Sequence, residues 1–121
     1  MTSIKFSLII PCYNEEGNIP ILIKHCKRIF KDGKFEVIFV ENGSNDNSYN
    51  ILKREINKVH NFKLVRAKKN IGLGHGVVEG LKRAKGDIIG WTHGDLQTDP
   101  LDAYKAFKIS ANYEGDFLIK G

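Results

Sequence analysis

Cysteine is scarce in this chain: Cys12 and Cys26 are the only two in 121 residues, and they form neither a CxxC pair nor a metal-like spacing with histidine. That count argues against a disulfide scaffold and against a zinc module. No histidine lies near Cys12 in sequence, so it reads as a small packing residue rather than a nucleophile. Long apolar runs are also lacking. The longest, such as Leu8 to Ile10 and Val37 to Val40, fall far short of the ~20 residues that a membrane span requires. Met1 to Phe6 carries one lysine and lacks the apolar core and small-residue cleavage site of a secretory signal, so a cytoplasmic location is expected. Low-complexity tracts and internal repeats are absent, which leaves disordered and solenoid architectures without support.

What is present suits one domain, with enough apolar residues to bury a core. The formal charge of +5 points to an anionic partner: nucleic acid, a phospholipid surface or a phosphorylated small molecule. Lys24, Lys27, Arg28 and Lys31 fall on the outer side of one helix, either as a solvated face or as a peripheral contact with lipid. The seven phenylalanines lie mostly in apolar strand or helix positions and the lysines are spread over several helices. A nucleic-acid groove with interleaved aromatics is therefore not expected.

Apolar runs and helical spacings alternate along the chain. Phe6 to Ile10 reads as a strand buried on both faces and ended by Pro11. Asn18 opens a helix to about Lys31, with Pro20 in its first turn and Gly33 beyond its end. Phe35 to Val40 is a second strand, and the turn-rich Glu41 to Asn47 leads to a helix over Ser48 to Val59. Phe62 to Arg66 is a third strand. A helix from His75 to Lys85 follows, with Val77, Val78 and Leu81 on its inner side. Asp87 to Trp91 is a fourth strand, Leu101 to Ala111 a fourth helix, and Phe117 to Ile119 a last apolar segment. The pattern predicts an α/β fold, doubly wound, with a mostly parallel sheet covered by helices on both faces. Ligands of such sheets sit beyond the carboxyl ends of the strands. The loops Cys12 to Gly17, Glu41 to Asn47 and Thr92 to Pro100 should therefore converge.

These loops carry groups suited to a nucleoside diphosphate. Tyr13 offers a face for a base, or else packs as an ordinary aromatic. Asn14, Asn42 and Ser44 can bond base and ribose. Glu15, Glu41 and Asp95 suit ribose hydroxyls, a base N–H or a divalent cation bridging phosphates. Gly72, Gly74 and Gly76 look like a dinucleotide fingerprint, but they follow the third strand and lack a glycine at position 77, so they read as a turn and close helix packing.

Pro11-Cys12-Tyr13-Asn14-Glu15-Glu16, Val40-Glu41-Asn42-Gly43-Ser44-Asn45-Asp46, Asn70-Ile71-Gly72 and Gly94-Asp95-Leu96-Gln97-Thr98-Asp99-Pro100 resemble, in that order, the family 2 glycosyltransferases of GT-A fold. The resemblance is to the dolichyl-phosphate mannose synthase and polyprenyl-phosphate sugar transferase branch, and it runs over residues 7 to 100. It implies inverting transfer of a sugar from a UDP-sugar or GDP-sugar donor. Pro11, Tyr13, Asn14 and Glu15, with Val40, Glu41, Asn42 and Ser44, would form the nucleoside side of the pocket. Gly94, Asp95 and Gln97 would form the diphosphate side. His93 and Asp95 would meet a divalent cation, manganese or magnesium, whose role is to neutralise the leaving diphosphate.

Two positions depart from the family pattern. Glu41 and Asn42 stand where two aspartates are usual, and His93 stands where the metal motif opens with aspartate. Imidazole suits magnesium poorly, which weakens the cation expectation. His93 can instead pack near its loop. The family's acceptor-side elements and catalytic base lie beyond residue 121, so residues 1–121 read as the donor-binding N-terminal part of a longer domain. Taken alone, such a part would leave an uncovered sheet edge and favour a homodimer. A non-catalytic nucleotide-sugar-binding module or an inactive fragment is the alternative to a transferase. The branch resembled is compatible with a polyprenyl phosphate or a glycan as acceptor, and a lipid-phosphate acceptor would place the chain at the inner face of a membrane.

Overall fold

The computed structural model describes residues 3–67, 72–96 and 99–110. Eight elements alternate: β1 (Phe6–Cys12), α1 (Ile19–Ile29), β2 (Phe35–Asn42), α2 (Ser48–Ile56), β3 (Phe62–Ala67), α3 (Leu73–Leu81), β4 (Ile88–Trp91) and α4 (Pro100–Ser110). All pairings are parallel, in the order β3-β2-β1-β4. Phe6 stands opposite Phe35 on one side and Ile88 on the other. The doubly wound expectation therefore holds for the described residues; the segment Phe117 to Ile119 lies outside them. No helix among the described residues is long and apolar enough to cross a membrane.

Every residue of β1 and β2 is buried, because helices cover both faces of the sheet. Phe6, Leu8 and Ile10 of β1, with Val37 and Phe39 of β2, face α1, α2 and α4, where Phe30, Phe35, Tyr104 and Phe107 pack edge to face. Ile9, Ile38, Val40 and Val65 form the thinner opposite layer beneath α3. Strand β1 does not stop at Pro11, which pairs with Val40 inside the sheet. The Ile9 carbonyl accepts the Thr92 N–H at 3.0 Å, so Pro11, two residues on, also turns its nitrogen toward β4. The pairing of β4 with β1 ends at Trp91 opposite Ile9, so the missing N–H of Pro11 breaks no ladder bond.

Helix α3 corrects a second expectation. Val78 and Leu81 are exposed, at 47% and 44%, and the face laid on the sheet is glycine. A Cβ at Gly80 would come within 2.4 Å of Ile9 Cγ2, and one at Gly76 would meet Asn42 Nδ2 at 3.2 Å. The helix rests almost backbone to sheet, closer than its valines would permit. Asn18 also differs from the reading: it occupies the position before α1, but its side chain makes no cap and donates instead to Glu15 Oε2 at 2.7 Å.

Opposite the loops, at the amino ends of the strands, Glu36 is buried in β2. Its carboxylate accepts from Ser7 Oγ at 2.5 Å and the Lys85 N–H at 2.6 Å, and Lys63 Nζ lies 2.8 Å from its other oxygen. Burial alone would raise the Glu36 pKa, but the bonds from Lys63, Ser7 and Lys85 outweigh it and hold the carboxyl below its ordinary value of 4.5. A carboxylate depressed in this way stabilises the fold fully above 4.5, and that contribution is lost as pH falls through the lower folded-state value. Urea midpoints should thus fall on acidification, and Glu36→Gln should start from a lower midpoint and fall less steeply. Gly80→Ala should cost about 1–3 kcal/mol in the same assay, because Ile9 has no room to give way.

Candidate functional site

Parallel strands place their carboxyl ends together, and three of the four end on one cleft of about 320 Å³. Its lining is Pro11, Tyr13 and Glu15 after β1, Asn42 at the end of β2, Gly72 before α3, and His93, Gly94 and Asp95 after β4. Of the residues singled out from sequence, the structure gathers Pro11, Tyr13, Glu15, Asn42, His93, Gly94 and Asp95. Gln97 lies outside the described residues, as do Asn70 and Ile71. Gly72 was noted only within a motif, yet it completes the wall.

Tyr13 projects its ring at 39% exposure, free to stack against a planar ligand. Asn42 is buried, and its amide donates to the Gly72 carbonyl at 3.3 Å, tying the second loop to the start of α3. Gly94 is a glycine for want of space: a Cβ there would lie 2.9 Å from the Pro11 carbonyl oxygen and 3.0 Å from Cys12 Sγ. The β4 loop can close on the β1 loop only without a side chain at that position. His93 is exposed and sets its ring edge-on to Trp91, centroids 5.3 Å apart.

Val40, Glu41, Asn14 and Ser44 do not line the cleft. Val40 is core beneath α3. Glu41 is buried; Oε1 accepts the Ser44 N–H at 2.5 Å and Oε2 lies 3.5 Å from Arg66 Nε. The Arg66 guanidinium stacks over the Tyr49 ring at 4.0 Å. Glu41 thus holds its own loop in shape rather than facing a ligand. The Ser44 hydroxyl accepts the Asn14 N–H at 2.9 Å, and Asn14 Oδ1 accepts the Asn45 N–H at 2.9 Å. Asn14 sits at φ 51°, a left-handed conformation that asparagine tolerates better than most residues. Sequence patterning gave no sign of the inward turn of Glu41, because Arg66 reaches it from a different strand.

The cleft carries two carboxylates, Glu15 and Asp95. A diphosphate entering it meets charge of its own sign, which a bridging cation would offset. Among the described residues no three of His, Cys, Asp and Glu come close enough to enclose a metal. His93 and Asp95 both line the cleft and, with Glu15, carry side-chain groups able to ligate a cation.

A parallel sheet with an aromatic face, an amide and carboxylates beyond its carboxyl edge defines an open α/β domain with a cleft where such folds hold their ligands. The family model Glycosyl transferase family 2 matches residues 7–118, and the chain belongs to that family. An undecaprenyl-phosphate 4-deoxy-4-formamido-L-arabinose transferase of Pseudomonas syringae pv. syringae (strain B728a) is 31% identical over 113 residues, covering 88% of this chain and 33% of that protein. The structure of S. aureus TarS 1-349 in complex with UDP matches at 29% identity and TM-score 0.71, over 88% of this chain and 32% of that one. The mannosyltransferase PcManGT from Pyrobaculum calidifontis, solved with GDP-Man and Mn2+, shares the fold at 22% identity and TM-score 0.65, over 88% of this chain and 32% of that one. The chain spans about a third of the length of these relatives.

Both thiols are inert by placement. Burial, then the charge of Glu15, pushes the Cys12 thiol far above the ordinary range, and burial with the charge of Asp99 pushes Cys26 up to about 12. An aromatic disulfide reagent should label neither thiol in the native chain and both in denaturant; rapid native labelling of Cys12 would show that the root of the β1 loop opens.

Proposed function

We propose that this chain is the donor-binding part of an inverting glycosyltransferase that moves a sugar from a nucleoside-diphosphate sugar to a polyprenyl phosphate. The observation that carries the reading is the convergence of Tyr13 and Glu15, Asn42, and His93 to Asp95 on one cleft at the carboxyl edge of the sheet. The base stacks on Tyr13, with the Asn42 amide at its edge. Glu15 takes the ribose hydroxyls, and Asp95 stands at the diphosphate. Asp95 and His93 would hold a divalent cation, whose chemistry there would be to neutralise the leaving diphosphate. The likeness to an undecaprenyl-phosphate transferase supports a lipid-phosphate acceptor. Exposed Lys24, Lys27, Arg28 and Lys31, on α1 and just beyond it, suit an anionic membrane surface at the cytoplasmic face.

His93, standing where the family places a carboxylate, favours one second reading: a module that binds donor and turns nothing over. Calorimetric titration with UDP and with GDP, each with and without manganese or magnesium, separates the possibilities. Binding of one nucleotide, strengthened by the cation and weakened at least about tenfold by Asp95→Ala, is expected. Binding of a nucleotide that neither cation strengthens would support the module. Failure of both nucleotides to bind would overturn the donor assignment.

A further inference from the structure

Three consecutive backbone N–H groups of the β1 loop donate to side chains of the β2 loop. The Asn14 N–H meets Ser44 Oγ at 2.9 Å, the Glu15 N–H meets Ser48 Oγ at 3.0 Å, and the Glu16 N–H meets Asp46 Oδ2 at 3.3 Å. The acceptors are spaced Ser-x-Asp-x-Ser and act as a comb. Asp46 braces it from within, since Oδ1 accepts both the Ser48 N–H at 3.0 Å and the Ser48 hydroxyl at 2.5 Å. Ser44 is braced from behind by Glu41 and Arg66.

The residues thus gripped include Glu15, which lines the cleft, and follow directly on Tyr13, which also lines it. The loop has no regular structure of its own over Tyr13 and Asn14 and adopts a left-handed turn at Asn14. Its N–H groups would otherwise bond water and leave the loop free to sample other shapes.

We infer that Ser44, Asp46 and Ser48 are positioning residues: without touching the donor, they hold the β1 loop in the one conformation that presents Tyr13 and Glu15 to the cleft. This deepens the donor reading above and rests on it for what the cleft binds. A loop held in its binding shape in advance loses less conformational entropy when ligand arrives, so the comb acts on affinity. The Asp46 carboxyl titrates accordingly. Burial would raise its pKa, but the Ser48 hydroxyl and the Ser48 and Glu16 N–H groups hold it below the ordinary value.

Ser44→Ala is the cleanest test, because among the described residues the hydroxyl reaches only across to the other loop, while Asp46 also bonds Ser48 at the start of α2. Amide hydrogen exchange at Asn14, Glu15 and Glu16 should quicken in Ser44→Ala and in Asp46→Ala, with the thermal midpoint of Ser44→Ala nearly unchanged. Affinity for whichever nucleotide the unsubstituted chain binds should fall about tenfold. Ser44→Thr keeps the acceptor oxygen and should restore both readouts, which a loss through general destabilisation would not predict. Unchanged exchange at these three amides in both alanine variants would overturn the inference, as would nucleotide affinity within twofold of the unsubstituted chain. If that chain binds neither nucleotide, the fault lies with the donor reading, and the exchange rates still decide whether the comb sets the loop.

Discussion

The pairing of β1 with β2 on one side and β4 on the other, all parallel, is the constraint on which the rest depends. Parallel strands bring their carboxyl ends to the same edge, so the loops after β1, β2 and β4 meet whatever their sequences. Central strands covered on both faces must be apolar throughout, which explains Ile9, Ile10, Ile38 and Phe39. The one charge admitted to β2 away from its loop end, Glu36, is compensated by three partners and ties β1, β3 and the turn before β4 to the strand it sits in. The sheet is stapled at one edge and left open to ligand at the other.

Close approach is the second theme. Gly80 lets α3 lie on Ile9, Gly76 lets it reach Asn42, and Gly94 lets the β4 loop close on Pro11 and Cys12. Each contact shortens the distance between a covering element and the cleft. The result is a site whose walls stand on the sheet, with the loop that bears Tyr13 tied at Asn14, Glu15 and Glu16 to side chains of the neighbouring loop.

Element order, strand direction and the convergence of the three loops were legible in the sequence because buried parallel strands write themselves as continuous apolar runs between helical spacings. Less legible was anything decided by contact across the fold. Val78 and Leu81 look like the buried face of α3, and only the proximity of Ile9 to Gly80 shows that glycine takes that role. Glu41 looks like a ligand group until Arg66 is seen to claim it. Ser44 reads from sequence as a nucleoside contact, and Asp46 and Ser48 as turn and cap residues, since the amides they bind lie about thirty residues earlier. Residue type marked these loops as polar and acidic, but it could not say which polar groups line the cleft and which face one another.

Paramagnetic broadening of backbone amide signals by manganese in the presence of UDP or GDP tests most directly whether the three loops form one donor site. Broadening centred on His93 to Asp95 and spreading to Tyr13, Glu15 and Asn42, while the Lys63 and Lys85 end of the sheet stays sharp, is the expected result. Broadening centred elsewhere, or none with either nucleotide, would contradict a donor site at the carboxyl edge.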